Sequence, residues 1–145
     1  GLWQRMAQSL PMAIVGVRDA AWLQHRYLEH PQHDYQLYLL GDWLPWRWQG
    51  LLVVRREGDT LTLIDLVAPL AAVGAVVQAA RHLAAQQGLQ AVTAWVSSPF
   101  VSYFTEGAVL SDPQIPLPVI TWNNSLDIEV LQGRWWLMAG DSDYR

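Results

Sequence analysis

The sequence predicts an α/β domain: a mixed, twisted sheet of about six strands with helices on both faces. Three observations lead there. A hairpin of β-branched and apolar runs, "GLLVVRREGDTLTLIDLV", turns around Glu57-Gly58-Asp59. An alanine-rich helical pattern follows it, and after that helix comes the apolar run "LQAVTAWV". A hairpin followed by a helical crossover puts antiparallel and parallel pairs in one sheet.

The elements before the hairpin are read from spacing and stop signals. Leu2, Met6 and Leu10 share one helical stripe until Pro11 ends it. A second helix is expected from Asp19, its cap, to Glu29, with Trp22, Leu23, Arg26 and Tyr27 on one face and Pro31 as the stop. "DYQLYLL" then alternates as a strand through Tyr35, Leu37 and Leu39.

After the hairpin, Leu70, Val73, Gly74, Val77 and Ala84 mark the buried stripe of the long helix, with Gln78, Arg81 and His82 outside and Gly88 as the stop. "LQAVTAWV" is apolar on both faces, which predicts a central strand. "SPFVSYFTEG" predicts a short helix capped by Ser98, with Pro99 in its first turn and Gly107 at its end. "AVLSD" can begin another strand, three prolines make "DPQIPLPVITW" irregular before Val119–Trp122, and "RWWLMAGDSDYR" closes as a strand and polar tail.

Composition removes several function classes. A chain of 145 residues, 52% of them hydrophobic, is one domain able to bury a sizeable core. The formal charge of -4 and the lack of any basic run argue against a nucleic-acid partner, since phosphates call for clustered Lys and Arg. Cysteine is absent, which removes disulfides, thiolate metal sites and a thiol nucleophile, and fits a cytoplasmic protein. The N-terminal stretch does not read as a signal peptide. The longest apolar run, Leu66 to Val77, is shorter than the roughly 20 residues that cross a bilayer, so no membrane partner is expected. Nine tryptophans are core payload or, in the turn of Trp43, Trp46 and Trp48, a flat stacking surface.

The order of elements and the residues at their joints resemble the GNAT superfamily of acyl-CoA-dependent N-acyltransferases. The hairpin ending in "LIDLVAP" is similar to the family's third and fourth strands, and the helix after it takes the place of the pyrophosphate-binding helix. "AVTAWV" resembles the fifth strand. "YFTEGAV" resembles the tyrosine-containing helix, with Tyr103 and Gly107 at the family spacing and Ala108 where Phe is usual. "RDAAWLQHRYLEHPQHDYQLYLL" and "GRWWLMAGDSDYR" are similar to the second lobe of bacterial two-lobed GNAT-like proteins, often found near polysaccharide genes.

The resemblance implies acetyl-CoA as cosubstrate and a sugar, amino acid or small metabolite as amine acceptor. It implies a V-shaped splay between the fourth and fifth strands as the acyl-CoA slot. Tyr103 would protonate the leaving thiolate, and Asp65, near the end of the fourth strand, would assist as base. Leu66, Val67, Ala68, Ala72, Val73, Gly74 and Ala75 would hold the CoA, chiefly through backbone N–H groups at the helix start. In the phosphate loop, Ala71 stands where the family has Gln or Arg, and Val76 where it has a small residue.

Each candidate also has a structural reading. Asp65 can cap the next turn or pair with an arginine, and Tyr103 can be a buried residue of an amphipathic turn. The helix can pack simply through its alanines. His25, His30 and His33 match no standard ligand spacing, and "GDSDYR" lacks the later ligands of a calcium loop, so no metal is expected. The absence of a first strand points to residues 1–145 as the C-terminal part of a longer protein. The missing N-terminal lobe is then a partner, with the tryptophan turn as its contact. The domain would be an acyltransferase, or a non-catalytic lobe providing structure or substrate binding.

Overall fold

A computed structural model describes residues 1–42, 44, 47–111 and 128–142. Helix α1 (Leu2–Ser9) leads to a short strand β1 (Ile14–Val15) and then α2 (Ala20–Leu23). The Asp19 carboxylate accepts the Trp22 N–H at 2.8 Å, the expected cap. The helix continues as a π-helical stretch, Gln24–Leu28, that buries Tyr27.

Strands β2 (Gln36–Gly41), β3 (Trp48–Glu57), β4 (Thr60–Val67) and β5 (Ala91–Ala94) form one four-stranded sheet in that order. The first three are antiparallel, and β4 and β5 are parallel. The β3–β4 hairpin is the one read from sequence, with Gly58 at φ +59° in the turn. β4 is buried at every residue from Leu61 to Val67, so both of its faces are covered.

The crossover is a single 3₁₀ turn (Leu70–Ala72) followed by α3 (Val73–Gln86). Its C-terminus is a Schellman motif: Gly88 sits at φ +67°, its N–H bonds to Ala85 O, and the Leu89 N–H bonds to Ala84 O. A 3₁₀ helix (Ser98–Tyr103), α4 (Ile128–Leu131), β6 (Trp135–Trp136) and a 3₁₀ turn (Ala139–Asp141) complete the described chain. β6 pairs in parallel with β1, and Val96 bridges antiparallel to Met138. Among the described residues no helix is long and apolar enough to cross a membrane.

Several expectations are corrected. The six strands among the described residues divide into a four-stranded sheet and a separate pair rather than one sheet. β5 is outermost among the described strands, not central. Only Val92 is even half buried, because Ala91, Thr93 and Ala94 carry too little apolar surface to draw a covering layer. Gly74 is exposed, and the buried stripe of α3 is Val73, Val76, Ala80 and Ala84. The N-cap of the 3₁₀ helix is Ser97, whose hydroxyl donates to Trp135 O at 2.6 Å instead of capping the helix. No strand begins at 108–111, where Val109 and Leu110 are exposed. Trp43, Trp46 and the whole three-proline run with Val119–Trp122 lie outside the described residues.

Candidate functional site

The parallel β4–β5 ladder runs only from Thr60↔Ala91 to Leu63↔Ala94. Ile64 is the next residue of β4, and there the register with β3 slips: Val53 pairs with Asp65 and Val54 with Leu63. An extra residue in one strand bends it and raises its twist. β4 therefore turns away where its pairing with β5 ends, while Val96 bridges to Met138 instead. The C-terminal ends of parallel strands that part are the usual ligand position in open α/β sheets.

A groove of about 260 Å³ lies beyond the strands, between the end of α1, the turn at Leu70, the Ser98–Tyr103 helix and the Gly133–Arg134 turn. Leu70 lines it from the β4 side, Pro99 and Phe100 from the β5 side, and Leu10, Met12 and Arg134 complete the walls. Ser9 holds one edge: its hydroxyl donates to Met6 O at 2.7 Å and accepts the Leu70 N–H at 3.0 Å. Aromatic packing fixes the opposite edge, with Phe100 5.0 Å from the fully buried Trp136 ring and Phe104 6.0 Å from it.

The start of α3 departs from an open phosphate cradle. The Leu70 N–H is bonded to Ser9, the Ala72 N–H to Pro69 O at 2.8 Å, and the Val73 N–H to Leu70 O. A helix start binds anions through N–H groups left without partners, and three of those nearest the turn are occupied. Of the seven residues expected to hold CoA, Leu66, Val67, Ala68 and Val73 place their side chains in the core. Ala72 is half buried, while Gly74 and Ala75 face outward, and a Cβ at Gly74 would meet nothing within 4 Å.

Asp65 takes the paired role that its sequence reading left open. It is fully buried, and both carboxylate oxygens accept from Arg18 Nε, at 3.0 and 3.1 Å. The Tyr27 hydroxyl donates to Oδ2 at 2.9 Å and the Leu66 N–H to Oδ1 at 2.8 Å. Arg18 also donates to Gly16 O at 3.0 Å and to Asp141 Oδ2 at 2.5 Å. Asp141 Oδ2 in turn accepts the Met138 N–H at 2.8 Å.

Burial pushes the Asp65 carboxyl above its ordinary value, against the pull of Arg18. Burial also weighs against the Arg18 charge, but Asp65 and Asp141 more than offset it and hold the guanidinium above its ordinary value. Burial and the neighbouring Asp65 push the Tyr27 phenol well up, so it stays a donor. A fully buried carboxylate held by four hydrogen bonds from three donor groups cannot take a proton from an incoming amine without first leaving this network.

The tail is tied to this network as well. Arg26 donates to Gly140 O at 3.2 Å and to Ser142 O at 2.9 Å, and Gly140 lies directly against Tyr27 and Asp65. The Arg18–Tyr27–Asp65–Asp141 cluster therefore joins the π-helical stretch, β4 and the last turn. The only sequence signal for it was a lone Asp inside an apolar strand, which is unfavourable there without a partner.

Tyr103 stands on the outer side of its 3₁₀ helix, 42% exposed, with Phe100 6.5 Å away and outside the groove lining. The turn after it docks on α3 through Arg81, which donates to Glu106 O at 2.7 Å beside Gly107 at φ +69°. Asp65 is bonded to Arg18, Tyr27 and Leu66, and neither it nor Tyr103 lines the groove.

His30 and His33 stack at 5.0 Å, and His30 Nδ1 accepts the N–H groups of Gln32 and His33 at 3.2 Å. His33 and Arg26 weigh against a charge on His30, but partial burial is the first cause that lowers its pKa. Among the described residues no three His, Cys, Asp or Glu side chains gather as a metal site would need. No protein-family model, curated protein or solved structure matches the chain.

Proposed function

We propose that this chain is one lobe of an acyl-CoA-dependent N-acyltransferase that moves an acetyl group from acetyl-CoA to the amine of a sugar, amino acid or small metabolite. This lobe's own share is non-catalytic: it binds the acceptor, and an N-terminal lobe of the same protein carries the CoA. A cytoplasmic location belongs to the same proposal. The observation that carries it is an open groove between Leu70 and Phe100, beside a helix start whose Leu70, Ala72 and Val73 N–H groups are already bonded. A ligand has room there, while a pyrophosphate would compete with the chain's own acceptors for those amides. Trp48, 37% exposed at the start of β3, offers part of the contact to the other lobe.

A second reading has its own support. The parting of β4 and β5 at Ile64 provides the geometry of an acyl-CoA slot, in which Tyr103 would act as acid and Asp65 would assist the base. That reading requires Asp65 to leave Arg18.

Calorimetric titration with acetyl-CoA, with desulfo-CoA as control, separates the two. The lobe reading expects no saturable heat from the wild-type chain and weak binding in Ser9→Ala, which frees the Leu70 amide. Micromolar binding to the wild type, abolished by Gly74→Trp, would overturn it in favour of the self-sufficient enzyme.

A further inference from the structure

Arg134 lines the groove with no counter-charge among the described residues. It is half buried, and its guanidinium has no hydrogen-bond or ion-pair partner among the described residues. The backbone on either side is fixed: its N–H bonds to Leu131 O at 3.3 Å and its carbonyl accepts the Ile14 N–H at 2.7 Å. Arg18 and Arg55, by contrast, are each paired with a carboxylate. In a chain of formal charge -4, an unpaired and partly desolvated arginine invites an anion from outside.

The surrounding walls limit what that anion is attached to. Leu10, Met12, Leu70 and Phe100 are apolar, and the Ser9 hydroxyl already gives its one proton to Met6 O while accepting from the Leu70 N–H, so it has no proton left to donate. A sugar, whose ring of hydroxyls must be hydrogen-bonded when buried, would find few partners here. At about 260 Å³ the groove falls just below the range of drug-sized pockets, roughly 300–1,000 Å³.

We propose that the groove binds a small α-amino acid with an apolar side chain. Its carboxylate meets the Arg134 guanidinium as a two-pronged pair, and its side chain lies on Met12, Leu70 and Phe100. The amine is left at the open side, as an acceptor requires. This inference rests on the acceptor-binding reading above and narrows it from sugars, amino acids and metabolites to one class.

Amide chemical-shift titration of the full chain tests it with three probes: L-phenylalanine, phenethylamine, which lacks the carboxylate, and glycine, which lacks the side chain. The expected result is saturable shifts at Leu70, Phe100, Gly133 and Arg134 with phenylalanine in about the millimolar range. Both truncated probes should bind about tenfold more weakly or worse. Arg134→Gln should weaken phenylalanine by about the same factor and leave phenethylamine unchanged, while Arg134→Lys should fall between. Equal binding of phenylalanine and phenethylamine, indifference to Arg134→Gln, or no saturation by phenylalanine would overturn the proposal. Acetyl-CoA calorimetry reads the lobe assignment separately. If it remains silent while the amino acid fails, only the acceptor class falls; if acetyl-CoA binds the chain, the lobe reading falls.

Discussion

Replacing Gly140 with alanine is the sharpest test of the buried network. A Cβ at this position would lie 2.0 Å from the Tyr27 hydroxyl oxygen and 3.2 Å from both Tyr27 Cζ and Asp65 Cβ. No carbon and oxygen pack at 2.0 Å, so either the last turn or the tyrosine must move. Tyr27 has little freedom, being 2% exposed and set edge-on between Trp22 and Tyr35 at centroid distances of 5.4 and 5.1 Å. Overpacking costs about 1–3 kcal/mol. Losing the Tyr27–Asp65 bond, which ends on a charged group, costs about 1.5–3 kcal/mol more. The expected loss is roughly 3–5 kcal/mol, a large part of the 5–15 kcal/mol that holds an ordinary domain folded.

Thermal and urea unfolding followed by circular dichroism would show it as a fall in Tm of roughly 10–15 °C. The same substitution in a Tyr27→Phe background removes the offending oxygen and leaves only the 3.2 Å contacts. There it should cost about 1–2 kcal/mol, so the two changes are strongly non-additive. A loss below about 1 kcal/mol for Gly140→Ala alone, or equal losses in both backgrounds, would refute the placement of the tail against Tyr27.

Arg18→Met removes the cation from beside Asp65 and Asp141 and should cost about 3–5 kcal/mol by chemical denaturation, with part regained in Arg18→Met/Asp65→Leu. Because the native Tyr27 phenol is held above its ordinary value of 10.0, the folded state retains a proton that the unfolded chain releases. Its contribution is therefore complete below pH 10 and lost as pH rises above that, by about 1.4 kcal/mol per pH unit. Urea midpoints stepped from pH 9 to 11 should show a shallower decline in Tyr27→Phe, and parallel declines would refute it. Gly50→Ala brings a Cβ to 2.5 Å from Val76 Cγ2 and should cost about 1–3 kcal/mol in urea unfolding, with Val76→Ala restoring part of it.

What the sequence revealed divides by distance along the chain. The hairpin, α3 with its glycine stop, and the Asp19-capped helix are local: each is set by spacing, a cap or a turn within a few residues. The position of β5 was misread because the pattern "LQAVTAWV" reports apolarity, while a central place depends on what covers the strand. Gly74 was read onto the buried stripe by periodicity, but the 3₁₀ turn at Leu70–Ala72 shifts the phase of the helix that follows. Asp65 was recognised as a residue needing a reason, yet the reason lies 47 residues upstream in Arg18. Likewise the groove forms only when the end of α1, Leu70 and Phe100 meet Arg134, residues that share no local motif.

The tie between Arg18 and Asp141 spans 123 residues and closes with the last described turn. At a synthesis rate of roughly 5–20 residues per second, Arg18 is made about 6–25 s before its second carboxylate. Once Asp65 has been made, its pairing with Arg18 and Tyr27 still lacks the Gly140 turn that lies against it. A chain halted before Ala139 would therefore be complete in its main sheet and still be a client of chaperones and proteases.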